Sequence, residues 1–314
     1  MSMLPVTPLH VHNYRDAAIV VGTEGELIGL NSSGQVTDVL RPMSDPISSS
    51  VLLDGHLIAS WNLYDVERTS TYMGLIPAEF FIDFGEASEM SRKSVVDGGP
   101  EGATWWRKLE GTIESIGGAG SRFIFALTGL GIYSMDLKIH DDVASVNESW
   151  RVHYPTWTLS SGPEIRDRIA SILITESGVL VISEGGEWAL LSAEEGVELD
   201  RGLLDLRNPV NRAVYSSELG TMVMTRGKEF VLMDNDQKII EYIRKIPGPV
   251  LGAHADDEGW KWTGWRHDGS FKNDHLLIRM RSEIGVGMLG VDKCICNDGA
   301  IERWGGYSSE SEVV

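Results

Sequence analysis

Phe123-Ile124-Phe125-Ala126-Leu127-Thr128-Gly129-Leu130-Gly131-Ile132-Tyr133-Ser134-Met135-Asp136 reads as two apolar runs folded back on one another across a glycine turn. Each run is short and rich in β-branched and aromatic residues, the signature of a strand buried on both faces. Glycine between them supplies the positive φ that a tight hairpin needs. The same phrase recurs along the chain. First runs lie at 18–21, 57–61, 123–127, 179–182, 222–225 and 276–280, and second runs at 27–31, 72–76, 132–136, 188–192, 230–234 and 288–292. The second runs begin 45, 60, 56, 42 and 58 residues apart. A period in the forties and fifties signals radial or solenoid repeats.

Each hairpin is flanked by two further strand candidates. After the second run come weaker, alternating segments such as 35–40, 197–200 and 239–243, with looser versions at 148–152 and 300–304. Alternation of this kind suits a half-exposed outer strand. Ahead of the first run lie 49–53 and 169–174. Four antiparallel strands per unit is the plan of a propeller blade, so the expected fold is an all-β β-propeller. Six hairpins favour six blades, with a divergent seventh as the alternative, hidden in the gaps at 77–112 or 140–165. One domain is expected over residues 1–307, followed by a polar tail at 308–314. Ring closure would place residues 9–13 beside the last unit, because closure protects exposed strand edges.

Gly131-Ile132-Tyr133-Ser134-Met135-Asp136-Leu137 resembles the inner hairpin phrase of the WD40/quinoprotein-like β-propeller superfamily, and 230–234 and 27–31 repeat it more weakly. The Gly-His…Trp-Asp signature of WD40 repeats is absent, so the resemblance implies a fold and carries over no cofactor site. Ala255-x-Asp257-x-Gly259-x-x-Trp262 is similar to the Asp-box of sialidase-type propellers, with alanine at the usual Ser/Thr position.

The chain has 314 residues, 42% of them hydrophobic, and a net charge of −19 from 46 acids against 27 bases. Such a field repels phosphate backbones, which argues against nucleic acid. No apolar run approaches the roughly 18 residues of a membrane span. Met1 to Asp16 has neither a basic opening nor a continuous apolar stretch, as a secretory signal would. With only two cysteines, a reducing cytoplasm is the expected location. Cys294-Ile295-Cys296 places both thiols on one face of an expected strand, but a structural zinc needs about four ligands.

The richest polar segment is 253–275. Its His254, Asp257, His267, Asp274 and His275 have the donor chemistry of a divalent-metal site at an axial funnel, the basis of a metal-assisted hydrolase or lyase reading. The competing reading is a solvated loop between blades. Ten tryptophans offer a second set of candidates: Trp105, Trp106, Trp260, Trp262 and Trp265 as a gripping surface for a protein partner or, more weakly, a glycan. Trp105 and Trp106 are strand neighbours and face opposite ways. Gly117-Gly118-Ala119-Gly120 lacks the Lys-Ser/Thr that a phosphate loop requires. With catalytic signatures missing, a non-catalytic scaffold or recognition module without a cofactor leads, and the metal enzyme is the alternative.

Overall fold

A computed structural model describes residues 3–64, 69–82, 98–140, 143–158 and 167–306. The expected polar tail at 308–314 lies outside the described residues. Seven antiparallel sheets follow one another in chain order. Blade one is β1 (Pro8–Tyr14), β2 (Ala17–Gly22), β3 (Leu27–Leu30) and β4 (Val36–Leu40). Blade two is β5 (Ser49–Leu53), β6 (His56–Tyr64), β7 (Thr69–Pro77) and β8 (Trp105–Glu110). Blade three is β9 (Ile113–Ala119), β10 (Arg122–Leu127), β11 (Gly131–His140) and β12 (Val143–Val152). Blade four is β13 (Ile169–Thr175), β14 (Gly178–Ser183), β15 (Glu187–Leu191) and β16 (Glu198–Leu203). Blade five is β17 (Val210–Ser216), β18 (Gly220–Thr225), β19 (Phe230–Met233) and β20 (Ile239–Ile243). Blade six is β21 (Val250–Asp256), β22 (Gly259–Gly264), β23 (His267–Lys272) and β24 (His275–Met280). Blade seven has β25 (Gly285–Leu289), β26 (Lys293–Cys296) and β27 (Ile301–Arg303).

Burial explains why these segments are strands. Every residue of β2, β14, β18 and β22 is buried, whereas β4, β16 and β20 are largely exposed. A single sheet cannot hide both faces of its second strand, so each blade leans on its neighbours. Apolar clusters accordingly lie between blades. Phe230 and Trp262 meet edge to face at 4.9 Å between blades five and six, and Trp61 and Phe81 fill the seam between one and two.

The ring closes through the chain's beginning. Inner strand β1 packs beside β25, and Asn13 donates to the Met288 carbonyl and accepts from Gly290 N–H. Met3 bridges Ala300, and Leu4 N–H donates to the Gly299 carbonyl, so an N-terminal segment supplies blade seven's outer edge. The expectation for residues 9–13 holds.

The blade count needs correction: there are seven blades, not the favoured six. The expected sixth hairpin spans a blade boundary. The run at 276–280 is β24, the outer strand of blade six, and 288–292 overlaps β25, the inner strand of blade seven. Segment 300–304 contains β27, a third strand rather than a fourth. The additional blade lies in neither suspected gap. It is built from 250–280, including the segment read as a solvated loop, because polar residues occupy buried strand positions there: Lys261, Thr263, His267 and Asp268 are all buried.

The glycines at 117–118 earn their place by space, not by phosphate. A Cβ on Gly117 would lie 2.0 Å from the Ile172 carbonyl oxygen, so glycine lets inner strands β9 and β13 approach. In the turn between β2 and β3, Gly25 adopts φ +90° as expected.

Candidate functional site in the axial channel

The inner strands line a cavity of about 500 Å³. Serines join neighbouring inner strands around its wall. His12 Nε2 lies 2.8 Å from Ser50 Oγ, linking blades one and two. Ser49 Oγ accepts Ile116 N–H, linking two and three, and Ser171 Oγ accepts Ala213 N–H, linking four and five. Side-chain bridges of this kind satisfy inner-edge groups that the sheets leave unpaired.

Two lining residues carry a formal charge, Glu114 and Arg212. Glu114 is committed to the wall. It accepts from the Tyr154 hydroxyl at 2.5 Å, Ile169 N–H at 2.8 Å and Thr128 Oγ1 at 3.0 Å, with Arg168 3.8 Å away. Burial, together with that carboxylate, pushes the Tyr154 phenol well above its ordinary range. Arg212 differs. It springs from β17 of blade five and reaches His10 of blade one, neither of whose ring neighbours is blade five. Arg212 Nη1 lies 3.4 Å from His10 Nδ1. Among the described residues no carboxylate stands within ion-pair distance of it. Burial pulls its pKa below the usual guanidinium value. Desolvation, then the charge of Arg212, lowers both His10 and His12 to about 3, and His12 also feels His10. Both imidazoles are therefore neutral at pH 7. Since guanidinium only donates, His10 Nδ1 accepts, and its proton sits on Nε2.

The sequence-selected residues lie elsewhere. His254 is half-buried on β21, with its pKa lowered chiefly by burial. Asp257, Asp274 and His275 are exposed at one end of blade six, and His267 is wholly buried at the other. His267 Nδ1 lies 3.1 Å from the Trp265 carbonyl oxygen. Among the described residues no group of three or more His, Cys, Asp or Glu side chains could hold a metal ion. The segment does not converge on an axial funnel. In the Asp-box-like turn it is Asp256, not Asp257, that accepts Glu258 N–H, while its partner Lys261 is clamped between Asp256 and Glu258 at 2.9 and 2.6 Å.

Trp260 and Trp262 are buried between blades five and six, leaving no ring face for a ligand. Trp105 and Trp106 face opposite ways as expected, but each packs into a different seam and both are half-buried. Trp106 lies 5.6 Å from the Tyr72 ring. Trp265 alone of the five is exposed, at 51%.

One repeated pattern was missed. Glu26 and Glu229 stand immediately before a third strand and Glu187 opens one, and Arg41, Arg201 and Arg244 follow 14 or 15 residues later. In blades four and five this places buried carboxylates 3.6 and 3.9 Å from their arginines. Glu229 also accepts N–H groups of Arg207 and Asn208, and Glu187 that of Thr158, so each pins the connection entering its blade. Glu26 and Arg41 keep the spacing without an ion pair; Arg41 donates instead to the Ser44 carbonyl.

No family model matches the chain, and no curated protein matches it by sequence. Solved structures do match in shape. The β-propeller domain of Myceliophteria thermophila Cps50 (Swd1) superposes with a TM-score of 0.62 at 11% identity, covering 95% of this chain and 96% of that one. The computationally designed Ika8 protein gives 0.58 at 6% identity, covering 96% and 98%. The fold is therefore that of a seven-bladed β-propeller. Identities this low speak for the fold alone.

Proposed function

We propose that this protein is a non-catalytic recognition module that docks an apolar protein segment flanked by basic residues. The observation that supports this reading is an exposed apolar strip on the outer strands of two adjacent blades. Val197, Leu199 and Leu203 on and beside β16 are 54%, 57% and 43% exposed, and Ile239 and Ile240 on β20 are 43% and 52% exposed. The segment leaving β16 is tied to β20, because Asp205 N–H donates to the Tyr242 hydroxyl and Arg244 pairs with Asp205 at 2.8 Å. Exposed apolar patches rimmed by charge are the usual mark of a partner surface.

Charge selects the partner. Exposed Glu194, Glu195, Asp200 and Glu241 border the strip and have no ion-pair partner among the described residues. Two of the nearby bases are already engaged: Arg201 with Glu198 at 2.6 Å, and Lys238 with Asp236 at 3.4 Å. A basic flank would meet unneutralised carboxylates, while its apolar centre would cover the leucines and isoleucines. The free edge of an outer strand also offers backbone groups for an added strand.

The test compares wild type with Leu199→Asp/Ile240→Asp, both checked for an unchanged melting transition, as baits under matched salt. A protein held by wild type and lost from the variant, with release rising at high salt, is the expected result. Identical sets of bound proteins on both baits would refute the reading. In the cell we place this encounter in the cytoplasm, an assignment that fits the two free, buried cysteines.

A further inference from the structure

We infer that the axial channel is a binding site for a small carboxylate, received by Arg212 with His10 beside it. The inference does not depend on the docking strip, which lies on the outer rim. It begins from a cost. A guanidinium half-buried in the channel wall, with no carboxylate of the described residues beside it, loses hydration that a neutral imidazole at 3.4 Å replaces poorly. Elsewhere this chain pairs its enclosed arginines. Arg281 is 2.9 Å from Asp268 and 2.6 Å from Glu302, and Arg201 and Arg244 have their own acids. In a protein with 46 acidic residues, a channel arginine with no acid beside it among the described residues marks a position held open for an outside anion.

The surroundings fit a carboxylate. Glu114, the other charged lining residue, has its oxygens occupied by Tyr154, Thr128 and the Ile169 amide, so it neither neutralises Arg212 nor competes for it. The planar fork of a guanidinium matches the two oxygens of a carboxylate in a bidentate pair. One fixed positive charge suits a singly charged group, and His10 Nε2–H is an additional donor. A volume of about 500 Å³ lies within the range of small-molecule pockets. The remaining wall is mixed, with half-buried Val51, Val214 and Leu251 among the serines, so the ligand's body has apolar surface to cover.

The experiment titrates purified wild type and Arg212→Met with acetate and benzoate, using chloride and inorganic phosphate at equal ionic strength as comparators. Readouts are calorimetric binding and the unfolding temperature. Wild type should bind a carboxylate saturably with a rise in unfolding temperature, and Arg212→Met should bind it at least tenfold more weakly. In chloride alone the variant should melt at or above wild type, since it removes a half-buried charge that no described carboxylate neutralises; this also shows that it folds. Arg212→Lys should recover part of the binding, having the charge without the fork. Equal responses in wild type and Arg212→Met, or saturable binding of phosphate with none of either carboxylate, would overturn the assignment.

Discussion

Two neighbouring seams of the ring solve one packing problem in opposite ways. Between blades five and six, Met222, Met224, Phe230, Trp260 and Trp262 form an apolar wedge. Between six and seven, the same depth holds Arg281, Asp268, Glu302, Thr263, Cys294 and Cys296. There Arg281 donates to Asp268 at 2.9 Å, to Glu302 at 2.6 Å and to Cys296 Sγ at 3.3 Å. Thr263 Oγ1 donates to Asp268 at 2.7 Å and lies 3.1 Å from Cys294 Sγ, while Gly305 N–H caps the second Asp268 oxygen at 2.8 Å. The apolar seam gains from area removed from water and tolerates slippage. The polar one gains little net energy but accepts few alternative alignments. It adjoins blade seven, which has three strands and borrows its outer edge from the N-terminal segment. We regard the buried ionic cluster as the element that sets the register of that last blade.

The comparison can be broken first by deleting a single member from each seam. Trp262→Ala should cost about 3–5 kcal/mol by leaving a cavity. Arg281→Met should cost about 3–5 kcal/mol, because Asp268 and Glu302 would stay buried without their cation. Chemical denaturation at neutral pH measures both. The contrast appears in compensation: Arg281→Met/Asp268→Leu/Glu302→Leu should regain most of the loss, whereas no second substitution of similar kind rescues Trp262→Ala. A triple variant no more stable than Arg281→Met would remove the distinction between the seams.

Backbone approach gives a smaller effect. Gly117→Ala would drive a methyl against the Ile172 carbonyl and should cost about 1–3 kcal/mol, with shifted chemical shifts confined to blades three and four. The smallest effect is acid sensitivity at the inner end of the seam between blades one and two. His12 has a folded pKa of about 3 against the ordinary 6.5 of a free imidazole, so the unfolded chain binds the proton first. Its contribution is complete above pH 6.5 and is lost as pH falls toward 3. About 1 kcal/mol should be gone by roughly pH 5.5. His12→Asn should flatten that part of the stability profile; an unchanged slope would place the acid sensitivity elsewhere.

Much of this was legible. The hairpins of blades one to five stand out because their second and third strands are rich in aliphatic and aromatic residues and mostly buried. Blade six was not legible for the reason its outer seam is unusual. Gly259-Trp260-Lys261-Trp262-Thr263-Gly264 and His267-Asp268-Gly269-Ser270-Phe271-Lys272 bury polar groups that satisfy one another only after folding, and hydrophobic pattern does not register such partners. That also displaced the sixth hairpin by half a blade. Channel residues were hidden differently. Nothing local distinguishes Arg212; its meaning arises when the closed ring sets β17 across from β1. The glutamate pattern at 26, 187 and 229 was readable in advance, since each stands at the start of a third strand and is followed by an arginine at nearly constant spacing.

No helix among the described residues is long and apolar enough to cross a membrane. The rim strip and the channel both draw on a rigid ring, and its rigidity rests on seven complete seams. Amide hydrogen exchange tests that most directly. Amides of 259–264 and 267–272 should be protected as strongly as those of β18, opening only with global unfolding. Exchange there at loop-like rates, with β18 still protected, would contradict a seventh blade and the sealed polar seam with it.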